Sequence, residues 1–132
     1  MKKIFFLSIC AIMHTFCFGQ TQSEMNKQAN VDLQNADQAL NKVYQQILNQ
    51  YKGDKVFTGN LKKAQRIWIQ LRDAEMLAKY PNRGAGYYGS VQPMCWSMYQ
   101  TELTLERTKK LKVWLTGIEE GDVCFGSVKR KE

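Results

Sequence analysis

Between residues 23 and 51, apolar side chains recur every three or four positions: Met25, Ala29, Leu33, Ala36, Leu40, Val43, Ile47 and Tyr51, with Tyr44 beside them. At about 100° per residue they occupy one side of a helix wheel, so the pattern predicts an amphipathic helix over 23–51. Thr21 and Glu24 have the spacing of a capping box at its start. The period breaks over Lys52 to Asn60, where Gly53 and Gly59 fall, and this stretch reads as a loop. A second stripe, Leu61, Ala64, Ile67, Trp68, Leu71, Ala74 and Ala78, predicts a helix over 58–79 capped by Thr58 or Asn60. The segment Tyr80 to Pro93 carries three glycines, two prolines and three tyrosines and cannot continue it. A third helix over 94–116 follows, with Pro93 tolerated in a first turn and a stripe of Trp96, Tyr99, Leu103, Leu111 and Trp114. Beyond Gly117 there is no period. The expected fold is all-α: an antiparallel three-helix bundle with a Gly/Tyr-rich loop between helices two and three and an irregular C-terminal tail.

The wheels also place charges. Glu75 falls in the middle of the second stripe, Arg72 on its edge and Asp73 opposite, while Arg107 falls at the centre of the third stripe. A lone buried carboxylate is costly, so Glu75 needs a cation. The expectation is that Glu75 faces Arg107 between helices two and three, and that Arg72 serves Asp37 of helix one.

The first residues change what the chain is. Lys2 and Lys3 precede an apolar run from Ile4 to about Phe18 and then Gly19, the order of a secretory signal peptide cut after Gly19. The run is shorter than the roughly 20 residues of a spanning helix. Ile9 and Phe16 are bulky for lipoprotein processing at Cys10 or Cys17. The expected organisation is a signal peptide over 1–19 and a single helical domain over 20–132, exported, with no stable membrane insertion after cleavage. Losing two lysines lowers the net charge from +7 to +5. That surplus favours acidic partners or simply keeps the domain soluble.

Cleavage also removes His14, the only histidine. Imidazole chemistry at a metal, a triad or a pH switch is thereby excluded from the mature chain. No metal-spaced cluster, phosphate loop or nucleophile motif is present, and no metal or cofactor is expected. Glu102 and Glu106, one turn apart, could be offered as a carboxylate pair for glycoside hydrolysis, and an exposed helix face explains them equally well. The expectation is that the chain is not an enzyme. Lys109, Lys110 and Lys112 lack interleaved aromatics, and with export this argues against nucleic acid. Cys95 and Cys124 are a candidate disulfide in an oxidising compartment. A helix from Cys95 to Thr116 spans about 31 Å, while the residues back to Cys124 reach at most about 27 Å. Closure therefore needs a shorter helix or a fully extended tail.

The candidate contact residues, Asp73 apart, lie where regular structure stops. The Tyr80 to Gln92 loop is long for a compact bundle and presents Arg83, Tyr87 and Tyr88. Either both tyrosines are contact residues, or one plugs the end of the core and the other lies on the surface. Asp73 points outward, and Glu119 and Glu120, with Asp122, form an acidic patch in the tail.

Taken together, MNKQA (Met25 to Ala29), ADQALNKVY (Ala36 to Tyr44), AQRIWIQLRDAE (Ala64 to Glu75), GSVQPM (Gly89 to Met94) and LTLERTKKL (Leu103 to Leu111) resemble the lysozyme-inhibitor LprI-like family of small exported bacterial proteins. The resemblance runs from Met25 to about Leu111. It implies an all-helical domain in the periplasm or secreted through the Sec route, and for some members inhibition of lysozyme. The family pattern usually has cysteines where this chain has Gln28, Met76 and Tyr99, so its usual bridges cannot form here. The expected function is an exported envelope binding protein whose partner is a protein, a lysozyme or cell-wall hydrolase. The alternative is a structural or interaction module of the envelope without inhibitory activity.

Overall fold

A computed structural model describes residues 21–131. The expected signal peptide, 1–19, lies outside the described residues. Three helices follow one another: α1 (Gln22–Gln50), α2 (Lys55–Lys79) and α3 (Gln92–Thr116). The fold is all-helical, and its one extended pairing among the described residues is an isolated parallel bridge between Ile118 and Arg130.

The start of α1 is the capping box read from the sequence. Thr21 accepts from the Glu24 backbone N–H at 3.2 Å, and the Glu24 carboxylate accepts from the Thr21 N–H at 2.7 Å. α2 starts earlier than the glycines suggested. Its cap is neither Thr58 nor Asn60 but Asp54, whose carboxylate accepts from the Phe57 N–H at 2.9 Å. Thr58 lies inside the first turns and donates to the Asp54 carbonyl. One interior glycine costs only about 1 kcal/mol against alanine, and buried Thr58 and Leu61 with half-buried Phe57 offset it. The loop between α1 and α2 therefore shrinks to residues 51–54.

α1 and α3 lie closely against each other, while α2 stands further off. The reason is in the seam. α1 contributes Ala29, Ala36, Leu40, Val43 and Ile47, and the buried positions of α3 are Ser97, Thr104, Thr108 and Leu111. Small side chains on both helices let the backbones approach, and the hydroxyls return to their own helix. Thr104 donates to the Gln100 carbonyl and Thr108 to the Thr104 carbonyl, each at 2.8 Å. No buried side-chain nitrogen or oxygen is left without a partner among the described residues.

α2 presents a different face from the one its apolar stripe predicts. Its buried residues are Thr58, Leu61, Gln65 and Met76, with Trp68, Arg72 and Glu75 half-buried. Ile67 and Leu71 are each 54% exposed, and Ala64, Ala74 and Ala78 are exposed as well. With α1 and α3 already joined by small residues, α2 reaches them through long amphipathic side chains, whose apolar stems cover the seam. The main core cluster, Leu40, Val43, Ile47, Tyr51, Leu61 and Leu111, lies where α1 and α3 end and α2 begins.

The tail is anchored at that same end. Tyr51 Oη donates to the Trp114 carbonyl at 3.0 Å and accepts from the Lys129 N–H at 3.3 Å, and Trp114 Nε1 donates to Ser127 at 3.0 Å. Gly117 makes the turn out of α3 with φ 72°, in the left-handed region. A side chain there would meet the Lys129 carbonyl oxygen at 2.9 Å, so glycine is required twice over.

Candidate functional site

The loop after α2 is built as two successive turns. Tyr87 N–H donates to the Gly84 carbonyl at 3.1 Å and Gly89 N–H to the Gly86 carbonyl at 3.0 Å. Gly86 and Gly89 take φ of 77° and 71°, conformations that side chains rarely adopt. Asn26 of α1 reaches the Ser90 carbonyl at 3.3 Å and ties the loop to the start of the bundle.

Aromatic rings then fix the loop against the helices. Tyr80 at the end of α2 lies 5.8 Å from Trp96 of α3 and meets Tyr88 edge-on at 5.7 Å, and Tyr88 Oη donates to the Pro81 carbonyl at 2.8 Å. Tyr87 stands edge-on to Tyr88 at 4.9 Å and is 69% exposed, with the Arg83 guanidinium 5.9 Å from its ring centre. Such pairs contribute about 0.5–1.5 kcal/mol each beyond burial. The two tyrosines thus have different positions: Tyr88 closes the end of the bundle, and Tyr87 projects from it. Together with Arg83, Gln92 and Trp96 they border a cleft of about 410 Å³. Burial pushes the Tyr80 phenol up from its ordinary pKa, and its neighbours Cys95, Tyr99 and Tyr88 push the same way, so Tyr80 stays neutral over the physiological range.

The acidic candidates are elsewhere. Glu119 and Glu120 follow α3, whereas the loop precedes it, and a helix of 25 residues puts about 37 Å between its ends. A standard patch of roughly 800 Å² per partner does not cover both. Glu119 is paired with Lys131, and Asp73 with Arg72 at 3.0 Å, so neither is a free charge.

The interior charges arrange themselves around Trp68. Arg72 Nη1 lies 3.6 Å from Asp37, and its guanidinium is 5.3 Å from the Trp68 ring centre. Arg107 lies 5.8 Å from the same ring, but it does not pair with Glu75: its Nε donates to Gln65 at 3.0 Å. Height along α2 explains this correction. Glu75 is half-buried on the same side as Leu61 and Trp68, but it lies ten residues, about 15 Å of helix, beyond Gln65, which is the residue level with Arg107. Sequence reasoning passed over Gln65 because an amide carries no apolar signal.

Cys95 and Cys124 are both free. α3 begins at Gln92, ahead of Cys95, and the tail is held at the far end of the helix by Trp114 and Tyr51, so the candidate bridge does not close. Met76, at a position where the resemblance implies a cysteine, is 2% exposed and fills the core. Tyr99, at another, has Lys79 Nζ 3.5 Å above its ring centre. No group of three potential metal ligands occurs among the described residues, and no described helix is long and apolar enough to cross a membrane.

The family described as Lysozyme inhibitor LprI matches residues 18–111. A relative from Rhizobium meliloti (strain 1021), described as an uncharacterized protein, is 35% identical over 111 residues, covering 75% of this chain and 77% of its own. No solved structure matches.

Proposed function

From the premise that this chain belongs to the lysozyme inhibitor LprI family, we propose that it is an exported, non-enzymatic binding protein that inhibits a lysozyme-type cell-wall hydrolase through the Tyr80 to Gln92 loop. The observation that carries the reading is the position of Tyr87. It is an exposed aromatic on a loop held by turns, by the Tyr80, Tyr88 and Trp96 rings and by Asn26. A rigid tyrosine supplies contact area at little entropic cost, and tyrosine and arginine dominate binding hot spots. Arg83 beside it adds a cation suited to such a target, because glycoside hydrolases flank their substrate with two carboxylates. An antiparallel course of the helices is in keeping with this use of the loop, since it puts the loop at one end of the bundle.

The tail belongs to a separate surface in this reading. Glu119 and Glu120 do not join the loop in one contact, and a net charge of +5 without the first 19 residues opposes encounter with a basic lysozyme except where the target's acidic cleft faces Arg83. The test is residual lysis of a cell-wall suspension by lysozymes premixed with the purified protein. Saturable inhibition supports the proposal, and neither inhibition nor complex at high micromolar concentration defeats it.

A structural role in the envelope is favoured by one feature, the exposed Lys109, Lys110 and Lys112 on α3 with Lys129 and Arg130 in the tail. It predicts capture from an envelope extract that weakens with salt and leaves lytic enzymes unaffected.

A further inference from the structure

Where α2 stands off α3, a groove of about 490 Å³ opens, lined by Phe57, Leu61, Ala64, Leu111 and Trp114 and bounded by Arg107. Its size is that of small-molecule sites, and its mostly apolar walls carry Arg107 with Asn60, Ser127 and Asp54 at the rim. Arg107 is unusual as a wall residue. Its Nε is taken by the neutral Gln65 amide and its face by Trp68, and no ion pair among the described residues involves it. Burial pushes its pKa down from the ordinary value, which reports a partly desolvated cation without an acid beside it. The remaining guanidinium nitrogens are free to form a forked, charge-assisted pair with a carboxylate.

We propose that this groove binds a medium-chain alkyl carboxylate, with the carboxylate on Arg107 and the chain lying along Phe57, Ala64 and Trp114, above the buried Leu61 and Leu111. The polarity is set by the two ends. Arg107 supplies the positive end, and Asp54, whose carboxylate caps α2, borders the other and repels an anion there. From Arg107 to Trp114 the helix rises about 10 Å, a length matched by a chain of medium size. This site is remote from the tyrosine loop, so it stands or falls independently of lysozyme inhibition.

Calorimetric titration with decanoate, below micelle formation, tests it directly. The expected result is saturable one-to-one binding, with decanol bound about tenfold more weakly or worse because it cannot pair with Arg107. Arg107→Gln should weaken decanoate by a similar factor. Ala64→Trp, at an exposed position on the groove wall, should fill the space and abolish binding while leaving helicity and the thermal midpoint near those of the parent. Equal affinity for decanol and decanoate, unchanged binding by Ala64→Trp, or no saturable heat up to about 1 mM would each overturn the proposal. If Arg107→Gln fails to fold, the decanol comparison and Ala64→Trp still decide.

Discussion

Arg107 Nε lies 3.0 Å from Gln65 Oε1, so the cation at the middle of the α2–α3 seam is held by an amide and not by a carboxylate. A hydrogen bond to a charged group contributes roughly 1.5–3 kcal/mol. A double-mutant cycle on Gln65→Ala and Arg107→Ala, read from urea midpoints, should therefore show coupling of about 1 kcal/mol or more. The parallel cycle on Glu75→Ala and Arg107→Ala should be additive within about 0.5 kcal/mol. Coupling in the second cycle and not the first would restore the ion pair expected from the wheel.

The inward face of α2 is open to the same kind of test. Met76 is 2% exposed and Leu71 is 54% exposed. Met76→Ala should cost about 2–5 kcal/mol, and Leu71→Ala about 0.5 kcal/mol or less. The reverse order in thermal or chemical unfolding would place the apolar stripe inside.

Gly117 couples the end of α3 to the tail. Gly117→Ala should cost about 1–3 kcal/mol from backbone strain alone, and the close Lys129 carbonyl should add to it by detaching the Ile118 to Arg130 pairing. Hydrogen exchange at the Lys131 amide, which donates to the Ile118 carbonyl at 2.9 Å, should accelerate in the variant. Unchanged exchange would show that the tail is held by other contacts.

The capping box has a pH signature. Hydrogen bonds from the Thr21 backbone and then its side chain lower the Glu24 pKa. A carboxyl lowered in the folded state contributes stability above its unfolded pKa and loses it as pH falls through the lowered folded value. Thr21→Ala should move the Glu24 titration, followed by carboxyl-carbon NMR, back up toward the ordinary value. An unmoved titration would mean that the side-chain half of the box contributes nothing to the shift.

The three helices were legible in the sequence because the apolar period runs over long stretches, although Gly53 and Gly59 delayed the expected start of α2. The structure confirms Ala29, Ala36, Leu40, Val43, Ile47 and Tyr51 as buried positions of the first stripe. The rotation of α2 was not legible, for a physical reason. Leu61 and Trp68 belong to both of its candidate faces, and the choice is made by Gln65, Arg72 and Met76 meeting a neighbour that the wheel of one helix does not contain. Nor does the close α1–α3 seam declare itself, since Ser97, Thr104 and Thr108 carry no apolar signal and acquire their role from the small residues opposite. In the loop, glycine and tyrosine marked the place but not the division between Tyr88 and Tyr87, which depends on the Pro81 carbonyl and the Tyr80 ring.

Lysis of a cell-wall suspension by an inhibited lysozyme, compared across loop and tail variants, tests the central claim most directly. Tyr87→Ala and Arg83→Ala should each weaken inhibition by about tenfold or more, with unfolding midpoints near the parent, while a Glu119→Ala, Glu120→Ala variant should inhibit as the parent does. Full inhibition by both loop variants, or its loss in the tail variant alone, would contradict the account.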